Sequence, residues 1–136
     1  MHFHYSEYPG IDGQSVFRPA VPITLRYGMK NIHVEALIDS GADYTLIPLE
    51  IASVFDFKLS DQPHYLFYGA GSNTFTVYRS PVEMDHILSK SGFQHKLWKS
   101  FVYFAESQPT ILLGQRGFLD RFDVHLKGKE REVVIL

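Results

Sequence analysis

Short apolar runs, several of them alternating with polar positions, fill most of this chain, and clusters of Gly, Pro, Asn, Asp and Ser separate them. That pattern predicts strands almost throughout. Val21–Tyr27 reads as a strand, and Gly28-Met29-Lys30-Asn31 as the turn into the next. Ile32–Ile38 alternates at first and is then wholly apolar, as in a strand entering a core. After Asp39-Ser40-Gly41 the extended pattern resumes over Tyr44–Ile47, and Pro48 suits the first turn of a short helix, Leu49–Phe55. A weakly patterned connection covers residues 56–64. Tyr65–Phe67 and Phe75–Tyr78 flank Gly69-Ala70-Gly71-Ser72 and predict a hairpin whose tip glycines permit positive φ. Residues 82–88 and 97–104 read as strands separated by the turn signals of Ser89–Gly92. Ser107–Pro109 marks a turn before the run Thr110–Leu113, which Gly114 ends. Leu119-Asp120-Arg121-Phe122 predicts one or two turns of helix. Val124–Leu126 and Glu132–Leu136 close as strands around Lys127-Gly128-Lys129. Residues 1–19, with Pro9, Gly10, Asp12, Gly13 and Pro19, read as an irregular N-terminal arm, and residues 20–136 as a single domain.

Composition narrows the class. The chain has 136 residues, of which 45% are hydrophobic, enough for one domain with a real core and too many for a disordered segment. An aromatic fraction of 15%, with 11 Phe and 8 Tyr, favours sheet over helix. Formal net charge is −2 with no dense Lys/Arg cluster, so neither nucleic acid nor an anionic membrane is the implied partner. There is no cysteine, which removes disulfides, thiol nucleophiles and Cys-ligated metals. MHFHYSEYPG carries neither a basic segment nor an apolar core, against a signal peptide, and no run reaches the roughly 18 apolar residues of a membrane span. A cytoplasmic protein is the default expectation.

The candidate chemistry centres on Asp39. It stands at the mouth of a turn between two apolar runs, where a carboxylate is costly unless hydrogen bonds or a function compensate it. An Asx-turn closing a strand is the plain alternative. Two identical carboxylates meeting across a twofold axis share one proton; the ionised member activates a water and the protonated member donates to an amide oxygen. Such chemistry needs no metal, cofactor or covalent intermediate. The chain has one motif of this kind, so the pair requires a second copy. Ser40 puts a hydroxyl beside the acid, and Gly41 keeps a Cβ out of the narrow space there. Asp43 fits two roles equally, holding backbone N–H groups of the turn or a bound peptide, or lying on the surface. Gly114 either merely ends its strand or lets that strand pass close to the Asp39 loop. Arg116 is a partner for a carboxylate or an exposed cation. Among His2, His4, His33, His64, His86, His95 and His125 no compact ligand spacing occurs. No Gly-x-Ser-x-Gly elbow accompanies a Ser–His–Asp set, and Gly69-Ala70-Gly71-Ser72 lacks the Lys of a phosphate loop.

Together these pieces resemble the retropepsin-like aspartic proteases, single-domain homodimeric relatives of pepsin. The likeness lies in ALIDSGADYTLIP at 36–48, GAGSNTFTV at 69–77 and ILLGQRGFLDRFDVHL at 111–126, in the family's order, and spans about residues 20–136. It implies an all-β, partly closed β-barrel of the retropepsin-like acid protease type with one short C-terminal helix. Asp39 matches the catalytic aspartate, and Ser40 and Gly41 match the supporting residues of its loop. Ala42 and Asp43 match the substrate-contacting pair. Gly69, Ala70 and Gly71 fall on the tip of the mobile flap. Leu112, Leu113 and Gly114 match the strand that crosses behind the active loop. The resemblance implies a homodimer hydrolysing peptide bonds in extended peptide or protein substrates. The alternative is a non-catalytic peptide-binding or scaffolding module on the same dimeric fold. One departure is plain: Gln115 occupies the place where viral members often carry Arg, and Arg116 follows one position later. The apolar end Val133-Val134-Ile135-Leu136 needs covering, by a partner chain or by an intrachain neighbour.

Overall fold

Pairing begins at the first residues of the chain. The structure, a computed structural model, describes all 136 residues. β1 (His2–His4), β2 (Ser6–Pro9) and β3 (Ser15–Arg18) occupy the segment expected to be irregular. β2 and β3 form an antiparallel hairpin with Ser6 opposite Arg18 and Pro9 opposite Ser15. The turn formers Gly10, Asp12 and Gly13 sit at its tip, where the Asp12 carboxylate accepts the Gln14 N–H at 3.0 Å. These residues thus mark one hairpin turn rather than an irregular arm.

β4 (Ala20–Tyr27) and β5 (Lys30–Ile38) pair antiparallel along their whole length through the expected turn. Val21, Ile23 and Leu25 of β4 are buried while Pro22 is exposed, the alternation of a strand with one face on a core. β6 (Leu46–Pro48) leads into a 3₁₀ segment at Leu49–Phe55, where the short helix was expected. β7 (His64–Tyr68) and β8 (Thr74–Arg79) are the expected hairpin. β9 (Met84–Leu88) buries Met84, His86 and Leu88 and leaves Asp85 and Ile87 partly exposed. The predicted strand at 97–104 is two: β10 (Lys96–Ser100), an edge of the sheet, and β11 (Tyr103–Ala105), an interior strand between β6 and β8. β12 (Ile111–Leu113), β13 (Val124–Lys127) and β14 (Glu132–Ile135) complete the chain.

Nine strands make one sheet in the order β10-β9-β4-β5-β12-β6-β11-β8-β7. β10 and β7 are its free edges, so no pairing closes the sheet into a barrel. The predicted helix at Leu119–Phe122 is replaced by overlapping turns. Leu119 N–H bonds to the Gly114 carbonyl and Asp120 N–H to that of Gln115, at 3.1 and 2.9 Å, and Gly117 reverses the chain at φ 96°. A helical nucleus this short cannot outweigh those bonds. The apolar C-terminus is covered from within the chain: β14 is the middle strand of a separate sheet, β1-β14-β13, with Val133 and Ile135 fully buried. No helix is long and apolar enough to cross a membrane.

One core residue is titratable. His86 lies face to face with Trp98, ring centres 5.1 Å apart, and its Nδ1–H donates to the Met84 carbonyl at 2.9 Å. Burial drives its pKa down from 6.5 to about 4, partly offset by that hydrogen bond; nearby Arg121 lowers it further and Asp85 opposes. The folded protein therefore holds His86 neutral where the unfolded chain protonates it. Stability is lost as pH falls from about 6.5 to about 4 and is level below, a total of about 3 kcal/mol from this group. Thermal unfolding of wild type and His86→Phe between pH 7 and 4 checks this: the wild-type midpoint falls more steeply. Equal slopes would show that the imidazole does not titrate on unfolding.

Candidate active site

β5 and β6 follow one another in the chain yet are not neighbours in the sheet. β12 is inserted between them, parallel to β5 (Leu113 opposite Ile38) and antiparallel to β6 (Leu112 opposite Leu46). The connection 39–45 must arch over the C-terminal end of β12. Asp39 begins the arch, and its N–H donates to the Leu113 carbonyl at 3.0 Å, extending the parallel ladder by one residue. The chain then turns tightly: Ala42 N–H reaches the Asp39 carbonyl at 3.2 Å, and Gly41 N–H donates to Asp39 Oδ1 at 2.9 Å. One carboxylate oxygen is thereby oriented and the other makes no protein hydrogen bond. Asp39 is half-buried, while Ser40 and Gly41 are exposed at the crest of the arch.

Gly114 lies directly beneath. A Cβ there would sit 2.5 Å from both the Ala42 and Tyr44 carbonyl oxygens, far inside van der Waals contact. Of the two sequence readings, close passage is the one the geometry has. With the strand this near, the arch is bound to it by backbone: Gln115 N–H to the Ala42 carbonyl at 2.8 Å and Arg116 N–H to the Asp43 carbonyl at 2.9 Å. Gln115 Nε2 adds a bond to the Ser40 carbonyl at 2.9 Å. The brace on this loop is thus made by an amide to its main chain. Arg116 and Asp43 form no side-chain ion pair with each other or with any other group.

The β7–β8 hairpin projects with its tip exposed. Gly69 N–H closes onto the Asn73 carbonyl at 2.7 Å, and Gly71 takes φ 72°, a value that suits glycine. Between hairpin and arch lies a cavity of about 270 Å³, walled by Ala42, Asp43, Tyr44, Leu46, Phe67 and Phe75 among others. Two of the expected substrate-contacting residues, Ala42 and Asp43, meet there. Gly69 and Ala70 instead line a polar hollow beside Glu106 and Gln108, and neither they nor Gly71 line the apolar cavity. On sequence alone, core packing explains most of the aromatics more cheaply than an extended peptide groove does, so none of these walls was singled out. Phe67 and Phe75 stand opposite one another in the hairpin register, 6.1 Å between rings, and Tyr44 packs on Phe67 at 5.5 Å. The alternation through Tyr65, Phe67, Phe75 and Val77 was the available signal. No group of three or more His, Asp or Glu side chains converges to hold a metal ion.

The whole arrangement has solved counterparts. A retropepsin-like aspartic protease from Rickettsia conorii superimposes with a TM-score of 0.62 at 16% identity, covering 100% of this chain and 98% of that one. The retroviral protease-like domain of Ddi1 from Leishmania major gives 0.55 at 17% identity, with 87% of each chain covered. This chain has the retropepsin-like fold. Neither a protein-family model nor a curated protein matches the sequence. Within the retropepsin-like fold, the inserted strand and the arch over it make a demand on Gly114 that can be measured. Gly114→Ala is expected to cost about 1–3 kcal/mol by forcing the arch off β12, read as a lowered urea midpoint. An unchanged midpoint would mean that the arch yields freely.

Proposed function

We propose that the protein is an aspartic endopeptidase with one active site shared by two copies of the chain. The observation that carries this reading is the setting of Asp39: a half-buried carboxylate at the crest of a braced arch, one oxygen oriented by Gly41 and the other free, beside an apolar cavity under a projecting hairpin. The retropepsin-like fold of the solved neighbours supports the same reading. In the dimer, Asp39 of each chain faces its twin, and like charges so close hold a single proton between them. The ionised carboxylate takes a proton from a water as it attacks the peptide carbonyl, and the protonated one donates to the carbonyl oxygen. Collapse of the tetrahedral species returns a proton to the departing nitrogen. Ser40 ties the two arches together. Leu112, Leu113 and Gly114 hold each arch from below. Ala42 and Asp43 meet the substrate main chain, and Gly69, Ala70 and Gly71 close over it as the hairpin tip.

Substrate lies extended, its backbone paired to the hairpin and its apolar side chains seated against Leu46, Phe67 and Phe75. Dimer contacts fall to the arches, which bring the two Asp39 side chains together.

A diverse peptide library read by mass spectrometry from pH 3 to 7 tests the proposal. Wild type cleaves, and Asp39→Asn loses at least about a hundredfold in rate while keeping its dimer by light scattering. Excess Asp39→Asn added to wild type suppresses cleavage, since mixed dimers hold only one competent carboxylate. Retained cleavage by purified Asp39→Asn would refute the mechanism. Two dimeric proteins that bind peptides and cut none would favour the non-catalytic peptide-binding module.

A further inference from the structure

On the far side of Tyr44 from the apolar cavity lies a second one, of about 290 Å³, and its lining is of another kind: Arg79, Arg116 and Arg121 with Tyr44 and Tyr103. Two carboxylates, Glu83 and Asp120, also line it. Asp120 is engaged elsewhere, its Oδ1 accepting the Gly117 N–H at 3.0 Å and lying 3.9 Å from Arg121 Nε. Glu83 is exposed and pairs with no cation. Arg79 and Arg116 form no ion pair either. Arg79 is held flat over the Phe101 ring, 4.6 Å to its centre, and its buried Nε–H meets no acceptor in the protein. Leaving a guanidinium N–H buried and unpaired is costly. Burial first, with Tyr44 and Tyr65 nearby, pushes the Tyr103 hydroxyl up from 10, so it remains a donor at neutral pH. The wall thus sets three guanidinium groups against two carboxylates, one of them engaged elsewhere, a net positive lining that suits an oxyanion.

We propose that this cavity is a subsite for a carboxylate of the polypeptide substrate, an Asp or Glu side chain bound between Arg79 and Arg116 beyond the Tyr44 wall. The inference rests on the endopeptidase reading for its occupant. Arg79 ends β8, at the base of the hairpin and opposite Tyr103 in register, and Arg116 bridges to Tyr44 in the arch. One acidic side chain would therefore tie the hairpin to the active loop. A planar guanidinium fork suits a carboxylate, and stacking on Phe101 orients it beforehand.

Paired peptides differing only as Glu against Gln, placed successively along the sequences that the library shows to be cut, test this with the full-length protein. At one position the Glu peptide is cleaved with kcat/KM higher by roughly tenfold, and the ratio falls towards one in Arg79→Gln and again in Arg116→Gln. Arg116 is exposed, so that variant preserves a folded comparison if Arg79→Gln does not fold. Binding of the same pairs to Asp39→Asn, by calorimetry, reads the subsite without cleavage, and the Glu preference is expected there too. Cleavage with no acidic preference anywhere would overturn the subsite and leave the endopeptidase standing. Glu preference in binding with no cleavage by wild type would keep the subsite and refute the enzyme. Binding of inorganic phosphate that both Arg variants lose, without any Glu preference, would assign the cavity to a free anion and overturn the proposal.

Discussion

A strand threaded between two others governs this molecule. β5 and β6 would pair directly if chain order decided, yet β12 arrives from seventy or so residues later and separates them, parallel to one and antiparallel to the other. The connection 39–45 is thereby forced into an arch, and the backbone beneath it comes so near that only a residue without a Cβ fits. Everything distinctive about the site follows. Asp39 is lifted to a crest because its N–H continues the ladder onto Leu113, Gly41 turns the chain back and orients one carboxylate oxygen, and Gln115 and Arg116 take up the arch's carbonyls. The arch is rigid through main-chain bonds, which is how a carboxylate can be held still without a charged partner.

Around that frame the side chains divide the surface by chemistry. Tyr44 leaves the arch with apolar residues of the hairpin on one side and unpaired arginines on the other. One ring thus lines both an apolar cavity and one rich in guanidinium groups. The core imposes a further condition. A neutral imidazole stacked on Trp98 ties stability to pH between about 6.5 and about 4.

How much of this was legible in the sequence depended on how local the cause was. Asp39-Ser40-Gly41 could be read because a strand, a turn and a second strand are neighbours in the chain, and the β7–β8 hairpin for the same reason. Gly114 carried no local signal beyond ending an apolar run; its meaning comes from Ala42 and Tyr44, at least seventy positions earlier. β1 was missed because three residues give almost no periodicity, and its partner β14 lies at the other end of the chain. The helix expected at Leu119–Phe122 failed because Gly117 and the carbonyls of Gly114 and Gln115 offered turns better bonds than one helical turn could. Phe67, Phe75 and Tyr103 were not singled out because core packing explains most aromatics more cheaply than a peptide groove, and Arg79 and Arg116 sit on separate elements that only the sheet order brings together.

The distance between the two Asp39 carboxylates in a crystal structure of the dimer tests the account most directly. The shared-proton site requires oxygens of the two side chains within hydrogen-bond reach of each other, about 2.5–3.0 Å, with both arches intact over β12. Two carboxylates separated beyond that reach, or a dimer that buries the arches against something other than each other, would contradict it.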